Sequence, residues 1–385
     1  MRISFTGDIM CELPTLRKAK KKNNYYFDGI LSSTKIFNKT DYLIGNLETV
    51  LAGENASYSN DIYSYNTPDS FLDEVSKTGF DMVSTANNHC LDRGKKGLIR
   101  TIELLKKNNI DWTGTNLSEN EDRFRIIDLN GVKVGIVGYT YGSNYSINKS
   151  KLEDDDKYMV NFFDTQDWID HSRKDTYSKL KEKAISSEKR VKILKLLKKE
   201  YNRPRIDDDP LKDINDNLVN DIQILKEKSD IVIMLMHSGG QFNLNPGKYT
   251  KELVEKLKEL GVDIVIGHHP HIVQKYEANE DFFVAYSLGN YFISPDTIYL
   301  LNENLPLYSI ILHLDIIDKD KYKMSFSISK TINYKKSERV VDTFDLYKTK
   351  DIDKDKLVED CKKIYSVFTG KNPQDFKLEK EYELL

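Results

Sequence analysis

The sequence predicts an α/β fold in which ligand-binding side chains gather at the carboxyl ends of the strands. Three observations predict it. Short apolar runs alternate with helical patterns over residues 1–145 and again beyond residue 213. The run 231–236 is almost wholly apolar, as in a strand covered on both faces. A cluster of polar residues follows each of several such runs, and in an α/β sheet the loops beyond the strand ends converge on one crevice.

The elements follow in order. Residues 2–6 read as a strand ending at Gly7-Asp8, and 42–44 as a second ending at Gly45-Asn-Leu-Glu48. Thr67-Pro68 opens a helix, since Thr suits the N-cap and Pro the first helical position, and Gly79 suits its C-terminal stop. Residues 81–85 read as a strand leading into Ala86-Asn-Asn-His89. Over about 95–107, Leu98, Ile102 and Leu105 recur at the spacing of a buried helical face. A strand returns at 132–139. After 231–236 come a helix at 248–260, a strand at 262–266 entering Gly267-His-His-Pro-His271, and a strand at 282–286 ending in Ser287-Leu-Gly-Asn290. Residues 308–317 and 322–332 read as two long antiparallel strands, and 353–369 as a late helix.

Residues 148–213 differ in character. They include Glu153-Asp-Asp-Asp156 and a lysine-rich stretch at 179–199, where Val191, Leu194 and Leu197 share one helical face beneath lysines. An inserted helical hairpin packed on the domain is the expectation; a lid or a contact surface for an anionic polymer is the alternative. The whole is expected to form one domain over 1–335, with a partly helical extension at 336–385 packed on it.

Composition narrows the function classes. The 58 basic and 61 acidic residues nearly cancel, leaving a net charge of −3 and no electrostatic case for a nucleic-acid partner. Hydrophobic residues at 39% and charged residues at 31% fit a soluble globular chain. Cys11, Cys90 and Cys361 form no metal-binding pattern and are expected to be reduced and structural. The N-terminus enters a strand directly, and no apolar run approaches the roughly 18 residues that span a bilayer. A cytoplasmic protein is the expectation; a chain that had lost an anchor would look the same and be envelope-associated. The Lys-, Asn- and Ile-rich composition hints at a low-GC bacterial source.

Chemistry concentrates after the strands: Asp8; Asn46 and Glu48; Asn87, Asn88 and His89; His237; His269 and His271. Five of the seven histidines lie in these loops; His171 and His313 lie elsewhere, His313 within the apolar pattern of its strand. A lone histidine after a strand is more often a satisfied core residue. Three histidine-bearing loops together with Asp8 and Glu48 instead point to a metal site. Imidazole with carboxylate suits a borderline divalent ion such as zinc, manganese or iron. Tyr63 and Tyr65 either line the crevice or are ordinary half-buried aromatics.

These residues fall into a recognisable order. Thr6-Gly-Asp8, Asn46-Leu-Glu48, Ala86-Asn-Asn-His-Cys-Leu-Asp-Arg-Gly94, His237-Ser-Gly239, Gly267-His-His-Pro-His271 and Ser287-Leu-Gly-Asn290 cover roughly residues 1–295. In this order the chain resembles the CapA family of capsule-synthesis proteins, named for poly-γ-glutamate production, within the calcineurin-like metallophosphoesterase superfamily. The resemblance implies a four-layer α/β/β/α sandwich carrying the charged helical insertion. It also implies one or two divalent ions: Asp8 and His271 at the first position, Asn88, His237 and His269 at the second, and Glu48 bridging. His89 would be a proton donor or oxyanion partner, grouped with Asn46 as catalytic. Asp92, His268, Ser287 and Asn290 would touch substrate or support the ligands. For Asp92 a loop-ordering role is the first reading, and for Ser287 and Asn290 the alternative is simple strand termination and capping.

Two departures from the family pattern bear on activity. Met10 stands where the superfamily has a ligating histidine, so the first metal position is expected to bind weakly or to fill only with substrate present. His237-Ser-Gly-Gly-Gln241 replaces a His-Trp-Gly segment followed by a glutamate. The implied function is a metal-dependent hydrolase in the synthesis, export or trimming of poly-γ-glutamate or a related anionic envelope polymer, partnered by a polymer synthase. The alternatives are a general phosphoesterase and a non-catalytic polymer-binding component of such a synthase.

Overall fold

The apolar runs fold into two β-sheets stacked face to face. This computed structural model describes residues 1–31, 37, 39–59, 63–164, 187–196, 207, 209–319 and 321–384. The first half supplies β1 (Arg2–Ile9), α1 (Leu13–Ala19), β2 (Tyr42–Leu47), α2 (Asp69–Thr78), β3 (Met82–Ser84), α3 (Gly94–Lys107), β4 (Asp111–Thr113), β5 (Phe124–Leu129) and β6 (Val132–Thr140). After α4 (Ser187–Leu196) come α5 (Asp216–Lys228), β7 (Ile231–His237), α6 (Lys248–Leu260), β8 (Ile264–His268), β9 (Tyr276–Ala278), β10 (Phe283–Ala285) and β11 (Asn290–Phe292). The chain ends with β12 (Tyr308–Asp318), β13 (Lys321–Tyr334), β14 (Ser337–Asp342), α7 (Thr343–Tyr347), α8 (Lys354–Thr369) and β15 (Tyr382–Glu383).

The nine-stranded sheet runs β14-β13-β12-β1-β2-β3-β4, with β11 also pairing β1 and β15 pairing β13. The six-stranded sheet runs β9-β10-β8-β7-β6-β5. Strand periodicity sorts the side chains between layers. Ile44 and Met82 join Ile3 and Phe5 in facing Ile136, Ile233, Leu235 and Ile266 of the other sheet. Their neighbours Leu43 and Val83 point the opposite way, to Phe71, Leu72, Leu98, Ile102 and Leu105 of α2 and α3. On the far side, α5 and α6 bury Leu218, Ile222, Leu225, Leu253 and Leu257 against Val232, Met234 and Val265. The layers are therefore helix, sheet, sheet, helix: the α/β/β/α sandwich of the calcineurin-like fold.

Parallel register fixes where the chemistry goes. Asp8 lies opposite Asn46 on one side and Asn290 on the other, and Asn46 lies opposite Ser84. In the second sheet His237 lies opposite His268. The carboxyl ends of β1, β2, β3, β7 and β8 thus stop at one rim of the sandwich.

The structure departs from the expected elements at several points. β1 runs to Ile9 rather than stopping at residue 6. Pro68, not Thr67, occupies the N-cap of α2, and the Thr67 hydroxyl bonds Thr49 at 2.7 Å instead, so no side chain caps the helix. Gly79 does end it in a left-handed conformation, with φ of 92°. β5 was not foreseen. Asn130 and Gly131, both at positive φ, form the tight turn joining it to antiparallel β6, and that Asn-Gly pair is the signal that would have found it. Within the charged segment, α4 is helical, and Leu196 is 84% exposed. The Val191 side chain, Leu197 and His171 lie outside the described residues, as does most of the expected hairpin.

Beyond residue 335 the chain continues the same sheet through β14 and then sends α8 across the gap between the two sheets. Phe368 of α8 sits 5.3 Å from the Tyr276 ring of β9 and 4.9 Å from the Phe326 ring of β13, touching both sheets at once. All three cysteines are free and buried. No helix among the described residues is long and apolar enough to cross a membrane.

His313 is fully buried in β12, with Nδ1 2.8 Å from Ser4 Oγ and Nε2 3.3 Å from Ser327 Oγ. Burial, reinforced by the Arg2 charge, pushes it down to about 4 from the ordinary 6.5. The folded chain therefore refuses a proton that the unfolded chain accepts as pH falls through that window, and stability drops with acidification. Replacing His313 by Gln should remove about 3 kcal/mol or less of the acid-induced loss between about pH 7 and about pH 4, read from urea unfolding at each pH. Phe368→Ala should cost about 3–5 kcal/mol of unfolding free energy in the same assay, because it opens a cavity between both sheets.

Candidate metal centre

Two glycines let the strand ends close up. A Cβ on Gly7 would lie 1.9 Å from the Gly289 carbonyl oxygen, the same oxygen that accepts the Asp8 N–H at 3.0 Å. A Cβ on Gly267 would lie 2.0 Å from the Tyr286 carbonyl. Side chains at either position would push apart the strands that carry Asp8 and the histidine loop.

The histidine loop itself is strained. His269 and His271 flank Pro270 at φ of 94° and 59°, the left-handed region that costs a non-glycine residue about 1–2 kcal/mol. Three hydrogen bonds hold it there. His269 N–H donates to Asp8 Oδ2 at 3.3 Å, Phe242 N–H to the Pro270 carbonyl at 2.8 Å, and Asn290 Nδ2 to the His271 carbonyl at 2.8 Å. The result turns the two imidazoles apart, with centroids separated by 5.7 Å. His269 faces the His237 ring, 4.9 Å away, whereas His271 Nδ1 lies 3.2 Å from Asp8 and 3.0 Å from Asn290 Oδ1.

Two groups of ligand atoms result, each with all its donor atoms within 4.8 Å of one another: Glu48, His237 and His269, and Asp8, Glu48 and His271. Glu48 belongs to both. Its Oε1 lies 3.6 Å from His237 Nε2 and 3.7 Å from His271 Nε2. Asn88 Oδ1 lies 2.7 Å from His237 Nε2, which adds an amide oxygen to the first group.

Among the described residues neither Glu48 carboxylate oxygen has a hydrogen-bond partner, although the residue is fully buried. Burying a carboxylate this way is costly unless something compensates it. Burial and the neighbouring Asp8 charge push the Glu48 carboxyl well above its usual range. Burial also raises Asp8, but the hydrogen bond and charge of His271, with His268 and His237, outweigh it and hold Asp8 well below the ordinary carboxylate value. Burial and His269 drive His237 downward, toward the neutral imidazole that can donate a lone pair. Two open carboxylate oxygens set between imidazoles fit a divalent cation, which would give both of them a partner.

The remaining residues marked in the sequence divide by what they touch. His89 Nδ1–H donates to Asp92 Oδ2 at 2.6 Å, leaving Nε2 3.9 Å from Glu48 Oε1. Asp92 also accepts from the Asn148 amide at 3.3 Å. Asn46 Nδ2 donates to Asp8 Oδ1 at 2.8 Å and lies 3.2 Å from His237 Nδ1, tying one group to the other. Asn87 Nδ2 donates to the Leu47 carbonyl at 2.9 Å and so fixes the loop that carries Glu48. His268 Nε2 donates to the Thr6 carbonyl at 3.2 Å, a link between sheets beneath the centre. Ser287 Oγ accepts from Gly289 N–H at 3.1 Å and shapes the turn, whereas Asn290 clamps His271. Met10 belongs to an apolar cluster with Tyr65, Phe242, Ile272 and Tyr299.

Two contributors escaped the sequence reading. Tyr141 lies 4.7 Å from His269 and parallel to His237 at 6.5 Å, and Asn144 Nδ2 lies 3.4 Å from His89 Nε2. Both directly follow β6, so the after-the-strand rule applied elsewhere would have found them.

Comparisons with known proteins bear on what this arrangement is. The family described as "Bacterial capsule synthesis protein PGA_cap" matches residues 2–295. A "PGA biosynthesis protein CapA" from Bacillus subtilis (strain 168) is 23% identical over 292 residues, 75% of this chain and 62% of the relative. A "Capsule biosynthesis protein CapA" from Bacillus anthracis is 25% identical over 299 residues, 76% and 59% of the two chains. The chain thus spans about three fifths of the length of these relatives. A solved hypothetical protein from Thermus thermophilus aligns at a TM-score of 0.40 with 14% identity, covering 89% of this chain and 99% of that one, which is too distant to carry weight. With three quarters of its length matched in one continuous stretch, the chain belongs to the bacterial capsule synthesis protein PGA_cap family.

Proposed function

We propose that the chain is a metal-dependent hydrolase of capsule biosynthesis, acting on poly-γ-glutamate or a related anionic, amide-linked envelope polymer. The observation that carries this reading is Glu48: a buried carboxylate with both oxygens open, shared by two ligand groups and faced by His89. Hydrolysis needs a place to hold the attacked group and a proton source for the leaving atom, and both lie within one crevice.

Glu48, His237, His269 and Asn88 would hold one divalent ion (manganese, zinc or iron), and Asp8, Glu48 and His271 a second. When bound, the metal supplies Lewis acidity and lowers the pKa of water toward neutrality. The chain's own residues do the rest. Asp92 holds the proton on His89 Nδ1, so Nε2 takes up a second proton at the site and gives it to the leaving atom, returning the ring to its neutral form. Asn46 keeps Asp8 and His237 in register with each other. Asn144, beside His89 Nε2, is placed to donate an amide hydrogen to a substrate oxygen. The two positions are unequal, because Met10 contributes packing and no donor atom on the Asp8 side.

The names of the relatives support the capsule context, and the two ligand groups sharing one carboxylate favour a second reading as a phosphoesterase, since such a pair can clamp a tetrahedral phosphate. Turnover of an aryl phosphate and of a γ-glutamyl polymer, each with manganese, separates the two. No turnover of either, with metal bound, would remove the hydrolase reading. His89→Gln should lower kcat by about 10²–10⁴-fold on whichever substrate is turned over while retaining metal, and unchanged kcat would remove His89 as the proton carrier. Glu48→Gln should abolish the rise in melting temperature on adding manganese, because the carboxylate shared by both ligand groups is gone.

A further inference from the structure

We propose that Tyr65, anchored through its hydroxyl to the buried carboxylate of Glu12, is the positioning residue that sets the orientation of His89. The proposal rests on the reading of His89 as the proton carrier, and it concerns residues that lie outside both ligand groups.

Tyr65 reaches His89 in two ways. Its ring lies over the imidazole, with centroids 4.2 Å apart and planes inclined by 33°. Its backbone N–H donates at 2.6 Å to Asp92 Oδ2, the same oxygen that accepts the His89 Nδ1 proton. One residue therefore restrains both the imidazole face and the carboxylate that selects its tautomer. Partners of this kind, one step removed from the reacting atoms, fix ring orientation and the site of protonation.

The other end of Tyr65 is fixed by Glu12. The Tyr65 hydroxyl donates to Glu12 Oε1 at 2.8 Å; Tyr299 also donates to Oε1, and Thr297 to Oε2. Glu12 and Tyr65 are both fully buried, and burial keeps the Tyr65 and Tyr299 hydroxyls protonated and able to donate. A cavity of about 240 Å³, lined in part by Glu12, Tyr65, Thr297 and Tyr299, lies on this side. The hydroxyl bond at its tip and the imidazole against its face hold the Tyr65 ring from two sides. Two residues earlier Tyr63 adopts a φ of 64°, unusual for a bulky residue, as the loop turns Tyr65 inward.

The test measures turnover of the full chain with manganese and the substrate that is turned over, and separately records the Nδ1 proton resonance of His89 in metal-free or zinc-loaded protein labelled with ¹⁵N-histidine, assigned by its loss in His89→Gln. Tyr65→Leu should shift or broaden that resonance and lower kcat about tenfold or more, with KM and manganese affinity unchanged. Tyr65→Phe and Glu12→Gln should produce the same changes in smaller degree, since the ring remains but its anchor weakens. Should Tyr65→Leu fail to fold, these two variants decide. A resonance and kcat both unchanged in the folded variants would overturn the proposal. If the wild-type chain turns over nothing, the hydrolase reading falls, and the resonance alone decides whether Tyr65 orients His89.

Discussion

A buried carboxylate without a hydrogen bond among the described residues is the constraint around which this rim of the fold is organised. Glu48 follows β2 directly, in a position the sheet cannot expose to water, and neither oxygen finds a hydrogen-bond partner among the described residues. A cavity left by an apolar residue would be cheaper to maintain than an uncompensated acid. The surroundings show what offsets it: imidazoles arrive from β7 and from both sides of Pro270, and an amide oxygen from the loop after β3. The strained backbone of His269 and His271 then has a cause. Only a reversal of handedness on each side of Pro270 sends one ring to His237 and the other to Asp8. The strain persists because Asp8, Phe242 and Asn290 pin the loop from three directions.

The two-sheet architecture makes this convergence possible. Parallel pairing aligns Asp8 with Asn46 in one sheet and His237 with His268 in the other, and the apolar layer between sheets brings the two rims together. Gly7 and Gly267 lack the Cβ atoms that would collide with the backbone of Gly289 and Tyr286, in the segment that crosses from β10 to β11. The aromatic contacts of Phe368 with Tyr276 and Phe326 join the two sheets from α8.

Much of this was legible in the residues because the governing physics is local. Apolar runs followed by polar clusters identify strand ends, and the topology of α/β sheets brings strand ends together. That reasoning located Asp8, Glu48, Asn88, His237, His269 and His271, and the structure brings all six within one crevice. Tyr141 and Asn144 also follow β6, but no imidazole or carboxylate marks that strand end, so they carry no ligand signal in the sequence. Nor did that reasoning reach Glu12: a single acid in Cys11-Glu12-Leu13 carries no periodic or motif signal, and its partner hydroxyls come from residues 65, 297 and 299. The N-cap of α2 was misplaced by one residue because the Thr67 hydroxyl is engaged by Thr49, a contact distant in sequence. Roles that depend on long-range hydrogen bonds, such as Asp92 selecting the His89 tautomer or Asn290 holding the His271 carbonyl, become visible only once the loops are placed.

The centre unites these threads, and its central claim concerns two unequal cation positions on either side of one carboxylate. Anomalous scattering from crystals soaked in manganese tests it most directly. A strong peak is expected among Glu48, His237, His269 and Asn88, and a weaker one, or one appearing only with phosphate present, among Glu48, Asp8 and His271. Crystals that show no anomalous peak within bonding distance of Glu48, with manganese or with zinc, would contradict it.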